Sequence, residues 1–278
     1  MPEPSPRGPR PRRRDYRGVR AVVTGGSSGV GRAIALELAR RGGRVLATAR
    51  RRDRLEALAA GAAALPGAPV LTRAGDVTDA AFRRSLVAEA AAELGGIDLV
   101  VAAAGSGAIG PFRAAHAATL ERIMAVDFVA PVELVRESLP ELLRGRDPGI
   151  VLVGSILGRH PLPLHAEYCA AKAALASFAG VLGSELAADG VDVLLASLGP
   201  TESEFWESLL TGSRPAWSRG RPMPADRTAR IVLDALARRR REVFPGLGAK
   251  AFAVAARLFP GLLDRAMMGA MRRSREPV

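Results

Sequence analysis

Tyr168 and Lys172 stand four residues apart in the segment EYCAAKAA, a spacing that sets both side chains on one face of a helix. A phenol and an ammonium so placed suit proton transfer. A free tyrosine, with a pKa near about 10, is a poor base at neutral pH. A neighbouring ammonium favours the phenolate and moves the group towards useful acid/base strength. The matching reactant is an oxygen that gains a proton as a carbonyl is reduced and loses one as an alcohol is oxidised. Ser155, which closes the apolar run IVLVGS, can hydrogen-bond that oxygen and hold it against the phenol. Composition singles the pair out: the chain has two tyrosines, and Lys172 and Lys250 are the only lysines among 40 Lys and Arg residues. Arginine would serve as a structural cation, but its planar fork replaces a point-like ammonium poorly.

Such a centre needs rigid elements beneath it. The chain has 278 residues, 48% of them hydrophobic, which suits one large domain with a core and excludes a disordered protein. Short apolar runs at 20–24, 44–48, 69–73, 98–103, 149–154 and 191–197 alternate with helical periodicity at 29–41, 52–60, 79–94, 119–144 and 167–188. A further helix is expected at about 225–240 and a short strand near 242–244. This rhythm predicts a parallel sheet of about seven strands with helices on both faces. Residues 1–18, rich in proline and arginine, read as a solvated basic tail ahead of a domain at 19–246. The net charge of +12 is almost wholly arginine in a chain without asparagine or glutamine. Compositional bias accounts for it, and no nucleic-acid partner is expected, since no binding motif accompanies the charge. Cys169 is the single cysteine, so no internal disulfide forms. With no secretory signal and no run near the ~18 apolar residues of a membrane span, a cytoplasmic location is expected.

The first strand runs directly into Thr24, Gly25, Gly26, Ser27, Ser28, Gly29, Val30 and Gly31, which open a helix. Glycines there permit a tight turn and close approach of the backbone to a pyrophosphate, which the helix N-terminus attracts. This TGxxxGxG spacing, with Ser155 thirteen positions before Tyr168, resembles the classical short-chain dehydrogenases/reductases from about Val19 to Phe244. The resemblance implies a Rossmann-type doubly wound fold and a nicotinamide dinucleotide cofactor. It further implies adenine contacts from Asp76 and Val77, cofactor contacts at Ala103 and Gly105, and ribose contacts from Tyr168 and Lys172. A nicotinamide-side turn is implied at Gly199 and Pro200, with Ser203 in the place of a carboxamide-binding threonine. The second strand ends without the carboxylate that holds the ribose of NAD, and Arg50 and Arg51 follow it. NADP(H) is therefore the expected cofactor. Two positions depart from the family pattern: Ala102-Ala103-Ala104-Gly105 stands for Asn-Asn-Ala-Gly, and Asp127 stands where a fourth catalytic asparagine is usual.

Four prolines and two tryptophans interrupt the rhythm at 199–224, a segment expected to act as a substrate lid. Its Phe205, Trp206, Leu209, Leu210 and Trp217 suit a hydrophobic alcohol or carbonyl substrate. Residues 247–278 form an expected helical extension that could cover the pocket, pack on another subunit, or lie on a membrane surface. Cys169 is expected to pack in the core, His160 and His165 to line a loop, and no metal-ligand spacing is present. Family analogy adds a homodimer or homotetramer through the helices at about 119–144 and 167–188. Asp127 and the alanine-rich turn leave open a catalytically weak NADP-binding regulatory or scaffold protein. An epimerase or dehydratase using the same cofactor is the other alternative.

Overall fold

β-Branched and leucine-rich runs such as RAVVT and GIVLVGS are apolar at nearly every position, as strands buried on both faces must be. The computed structural model describes residues 13–65, 69–207, 209–213 and 222–273, with side chains described as far as Gly269. Its strands are β1 (Arg20–Thr24), β2 (Arg44–Ala49), β3 (Val70–Ala74), β4 (Leu99–Ala102), β5 (Gly149–Ser155), β6 (Asp192–Leu198) and β7 (Glu242–Val243). They pair in parallel in the order β3-β2-β1-β4-β5-β6-β7. Helices α1 (Gly29–Arg40), α2 (Arg52–Ala63) and α7 (Ala225–Ala237) cover one face. Helices α3 (Ala80–Leu94), α5 (Ala130–Arg144) and α6 (Ala166–Glu185) cover the other. Strand order reverses between β1 and β4, so the loops leaving their carboxyl ends diverge and open a crevice, the place where ligands bind in open α/β sheets.

Three departures from the sequence reading matter for the site. The helix expected over 119–144 is two helices, α4 (Ala117–Met124) and α5, joined by a wide π turn at Ala125–Val129. Such a turn has the same apolar periodicity as its flanks, so the pattern runs through it. The solvated tail ends earlier than residue 18. Arg14 and Tyr16 are buried: Tyr16 donates to the Leu233 carbonyl at 2.5 Å, and Arg14 pairs with Asp192 at 2.9 Å. Finally, the segment after β7 forms two helices, α8 (Leu247–Leu258) and α9 (Pro260–Arg273). Residues 214–221 of the expected lid, Trp217 included, lie outside the described residues.

Candidate active site

The carboxyl ends of β1, β2, β4, β5 and β6 surround one cleft of about 610 Å³. Apart from Thr24 and Gly26, every residue singled out in the sequence for catalysis or cofactor binding lines it. Thr24 works from behind, its hydroxyl accepting from the Ala103 and Ala104 amides at 3.1 Å each. That bond ties the ends of β1 and β4 together at the switch point.

The glycine loop fits a dinucleotide. Gly25 has φ +72°, and a Cβ there would lie 2.7 Å from the Ala103 carbonyl oxygen; one on Gly31 would lie 2.4 Å from the Gly25 carbonyl oxygen. Side chains at either place would drive helix and turn apart and fill the cradle. No side chain caps α1, so its leading N–H groups and positive dipole end are available to an anion above residues 27–31. Further along the cleft, Asp76 takes hydrogen bonds from the Thr78 amide at 2.9 Å and from Arg122 at 2.9 Å. Burial works against its charge, yet these donors hold the carboxyl down at about 2.

At the end of β2 the predicted arginines stand at the rim, and the structure adds a partner that the sequence did not suggest. Arg51 donates to Glu204 at 2.6 Å and to the Ser27 hydroxyl at 3.2 Å, and Arg54 pairs with the same carboxylate at 3.2 Å. Glu204 lies 153 positions from Arg51, on the lid segment, so spacing gave no signal for it. The described part of the segment after β6 packs over the cleft. Leu210 donates its amide to the Gly107 carbonyl at 2.8 Å, and Ile109 donates to Thr211 at 3.0 Å. Phe205 lies 5.7 Å from the Tyr168 ring, a tilted aromatic contact.

Ser155, Tyr168 and Lys172 meet on the cleft floor. Ser155 ends β5, and its Oγ accepts from the Leu157 amide at 3.1 Å, which leaves its proton to donate. It also hydrogen-bonds Tyr168 in the direction that favours the phenolate. Lys172 is buried, donates to the Val153 carbonyl at 3.0 Å and lies 5.7 Å from the Tyr168 ring centre. The π turn directs Asp127 inward, where its Oδ1 pairs with Lys172 Nζ at 3.0 Å. The amide and hydroxyl of Ser106 both donate to its Oδ2 at 3.0 Å. Asp127 thus joins the centre as a carboxylate ion-paired through Oδ1 and hydrogen-bonded through Oδ2, and Ser106 is a residue that sequence reading missed.

This changes the electrostatics expected for the pair. Burial raises the Tyr168 phenol; Lys172 pulls it down, Asp127 pushes it up again, and the net direction is upward. The expectation that Lys172 lowers the phenol holds for that one interaction and fails for the sum. Burial opposes the Lys172 ammonium, but Asp127 holds it charged, with a net upward shift. Burial likewise raises the Cys169 thiol, which is packed in the interior as expected. His160 hydrogen-bonds Asp264 of α9 at 2.8 Å, and His165 contacts the Pro163 carbonyl at 2.9 Å.

A doubly wound sheet, a glycine cradle at its switch point and a Ser–Tyr–Lys floor define a nucleotide-dependent oxidoreductase architecture. Comparison with known proteins agrees. A family model for short chain dehydrogenase matches residues 20–213, and the chain belongs to that family. It is 31% identical over 257 residues to hydroxysteroid 11-beta-dehydrogenase 1-like protein B of Xenopus laevis, covering 90% of this chain and 85% of the relative. It is 32% identical over 191 residues to a short chain dehydrogenase of Pseudocercospora fijiensis; the match covers 68% of this chain and 61% of that protein. A crystal structure of a dehydrogenase/reductase from Sinorhizobium meliloti superposes with a TM-score of 0.76 at 28% identity, over 84% of this chain and 95% of the other.

Proposed function

We propose that this oxidoreductase is an NADP(H)-dependent reductase of hydrophobic ketones or aldehydes, or the reverse alcohol dehydrogenase. The observation that carries the reading is the convergence of Ser155, Tyr168 and Lys172 below the glycine cradle. The bound nicotinamide supplies or accepts the hydride. Residues 25–31 hold its pyrophosphate, Asp76 and Val77 the adenine, and Gly199, Pro200 and Ser203 the nicotinamide side. Tyr168 delivers the proton to the substrate oxygen, Ser155 donates a hydrogen bond to that oxygen, and Lys172 holds the ribose and favours the phenolate. The choice of NADP(H) rests on β2 ending in Ala49 with no acidic side chain, and on Arg50 and Arg51 at the cleft rim. A hydrophobic substrate follows from the lid residues Phe205, Trp206, Leu209 and Leu210 lining the cleft, and the name of the Xenopus relative points the same way. The exposed side chains of Val181 on α6 and of Val129 in the π turn before α5, in the region that pairs subunits in this family, support a homo-oligomer.

The test is cofactor consumption with a panel of apolar carbonyl compounds. NADPH should support turnover and NADH should not. Tyr168→Phe should cut turnover by about 10²–10⁴-fold, the usual worth of a general acid, while NADPH still binds. Asp127 favours a second reading, an NADP-binding regulatory protein with little activity, because its charge opposes the phenolate. Stoichiometric NADPH binding with no turnover across the panel would establish that reading instead.

A further inference from the structure

Helices α8 and α9 turn one side inward and leave another without a covering. Ala249 is buried, Phe252 and Met267 reach the catalytic cleft, and Asp264 is anchored on His160. On the outer side Leu247 is 85% exposed, Leu258 60%, Phe259 59% and Leu262 65%. Leu247, Val254 and Leu258 are seven and four residues apart and therefore form one stripe along α8. Lys250 and Arg257 are exposed and flank that stripe, three residues on from Leu247 and Val254.

The flank is part of a larger basic feature. A recess between α7, β7 and α8 is lined by Arg238, Arg240, Lys250 and Arg257. Its Glu242 already takes both arms of Arg159, at 2.9 and 2.7 Å, and its Asp234 pairs with Arg41 at 2.9 Å. Among the described residues no carboxylate pairs with those four cations. Other arginines of the molecule are matched by carboxylates, Arg20 by Asp98 and Arg239 by Asp147 among them. Here an apolar stripe and unmatched cations share one surface.

We propose that this surface docks on an anionic lipid bilayer, with the α8 stripe in the acyl boundary and the basic recess on the headgroups. Charge complementarity selects the occupant, since a second copy of this chain would set the same cations against themselves. No helix among the described residues is long and apolar enough to cross a membrane, so the contact is peripheral. Because Phe252 and Met267 join these helices to the cleft, docking would place its roof at the bilayer, a consequence that rests on the proposed reductase reading.

Co-sedimentation of the full chain with phosphatidylcholine vesicles, with and without phosphatidylserine, tests the proposal. Binding should be at least about tenfold stronger with phosphatidylserine and should weaken as salt is added. Val254→Asp with Leu258→Asp should reduce it about tenfold, and so should Lys250→Glu with Arg257→Glu, while NADPH binding persists in both. The charge-reversal pair carries the test should the first pair fold poorly. Equal binding to both vesicle types, no binding, or variants that bind like the parent would overturn it. Loss of oligomer on introducing the aspartates, with no vesicle binding by the parent, would assign the face to a second copy. NADPH turnover without vesicle binding would sink this inference and spare the reductase reading; the reverse outcome would separate them equally.

Discussion

With Asp127 3.0 Å from Lys172, much of the ammonium's field at the Tyr168 phenol is cancelled. An asparagine would keep a hydrogen-bonding side chain there and add no charge. The sign follows from the direction of the shift. A raised phenol stays protonated to higher pH, which favours proton donation and carbonyl reduction and delays the phenolate that alcohol oxidation needs. Asp127→Asn removes the upward push, so the rising limb of the oxidation pH profile should move to lower pH. Reduction should begin to fail at lower pH as well, with plateau turnover within about tenfold of the parent. A profile that stays in place would show that Asp127 does not govern the titration. Ser106 adds a structural reason for the carboxylate: its two donors satisfy Oδ2, so the buried charge is hydrogen-bonded as well as paired. These features were half legible in sequence. The position of Asp127 relative to the family pattern was visible, but its contact with Ser106 depends on two segments 21 residues apart closing on each other.

The described part of the segment after β6 is fastened at two places by different means. Its Leu210 and Thr211 bond the backbone of the loop after β4, and its Glu204 bridges Arg51 and Arg54 at the start of α2. The second fastening occupies Arg51, one of the two arginines expected to receive a 2′-phosphate. Binding must then exchange one anion for another, and Glu204→Gln should free the guanidinium groups beforehand. The expected result is NADPH binding about two- to fivefold tighter, the worth of a partly exposed ion pair, with NADH affinity unchanged. Fluorescence titration of both cofactors measures it, and an equal gain for NADH would remove the link to the phosphate. Elements as such were readable from periodicity: the β1 span was placed at both ends, and the strands of the sheet fall within a residue or two of the expected runs. The π turn was not readable, because one extra residue in a helical turn alters hydrogen-bond partners without altering residue type.

Arg14 and Tyr16 belong to the folded body although they sit in a proline- and arginine-rich stretch. The Arg14 side chain is 0% exposed and pairs with Asp192 at 2.9 Å, with Asp147 and Arg239 completing a four-residue charge cluster at the base of β5 and β6. Arg14→Met would leave two carboxylates to Arg239 alone and should cost about 3 kcal/mol of unfolding free energy, read from urea denaturation. A change below about 0.5 kcal/mol, the range of ordinary surface substitutions, would mark the cluster as dispensable. Local sequence was sufficient for the alternating strands and helices, the glycine cradle and the Tyr168–Lys172 pair, because each depends on spacings of a few residues and on the choice of rare residue types. Tertiary structure alone decided the rest: that Asp127 pairs with Lys172, that Glu204 meets Arg51, and that Arg14 is buried against Asp192. Each of these joins residues far apart in the chain, and charge or burial at such a contact is a property of the fold, absent from either segment taken singly.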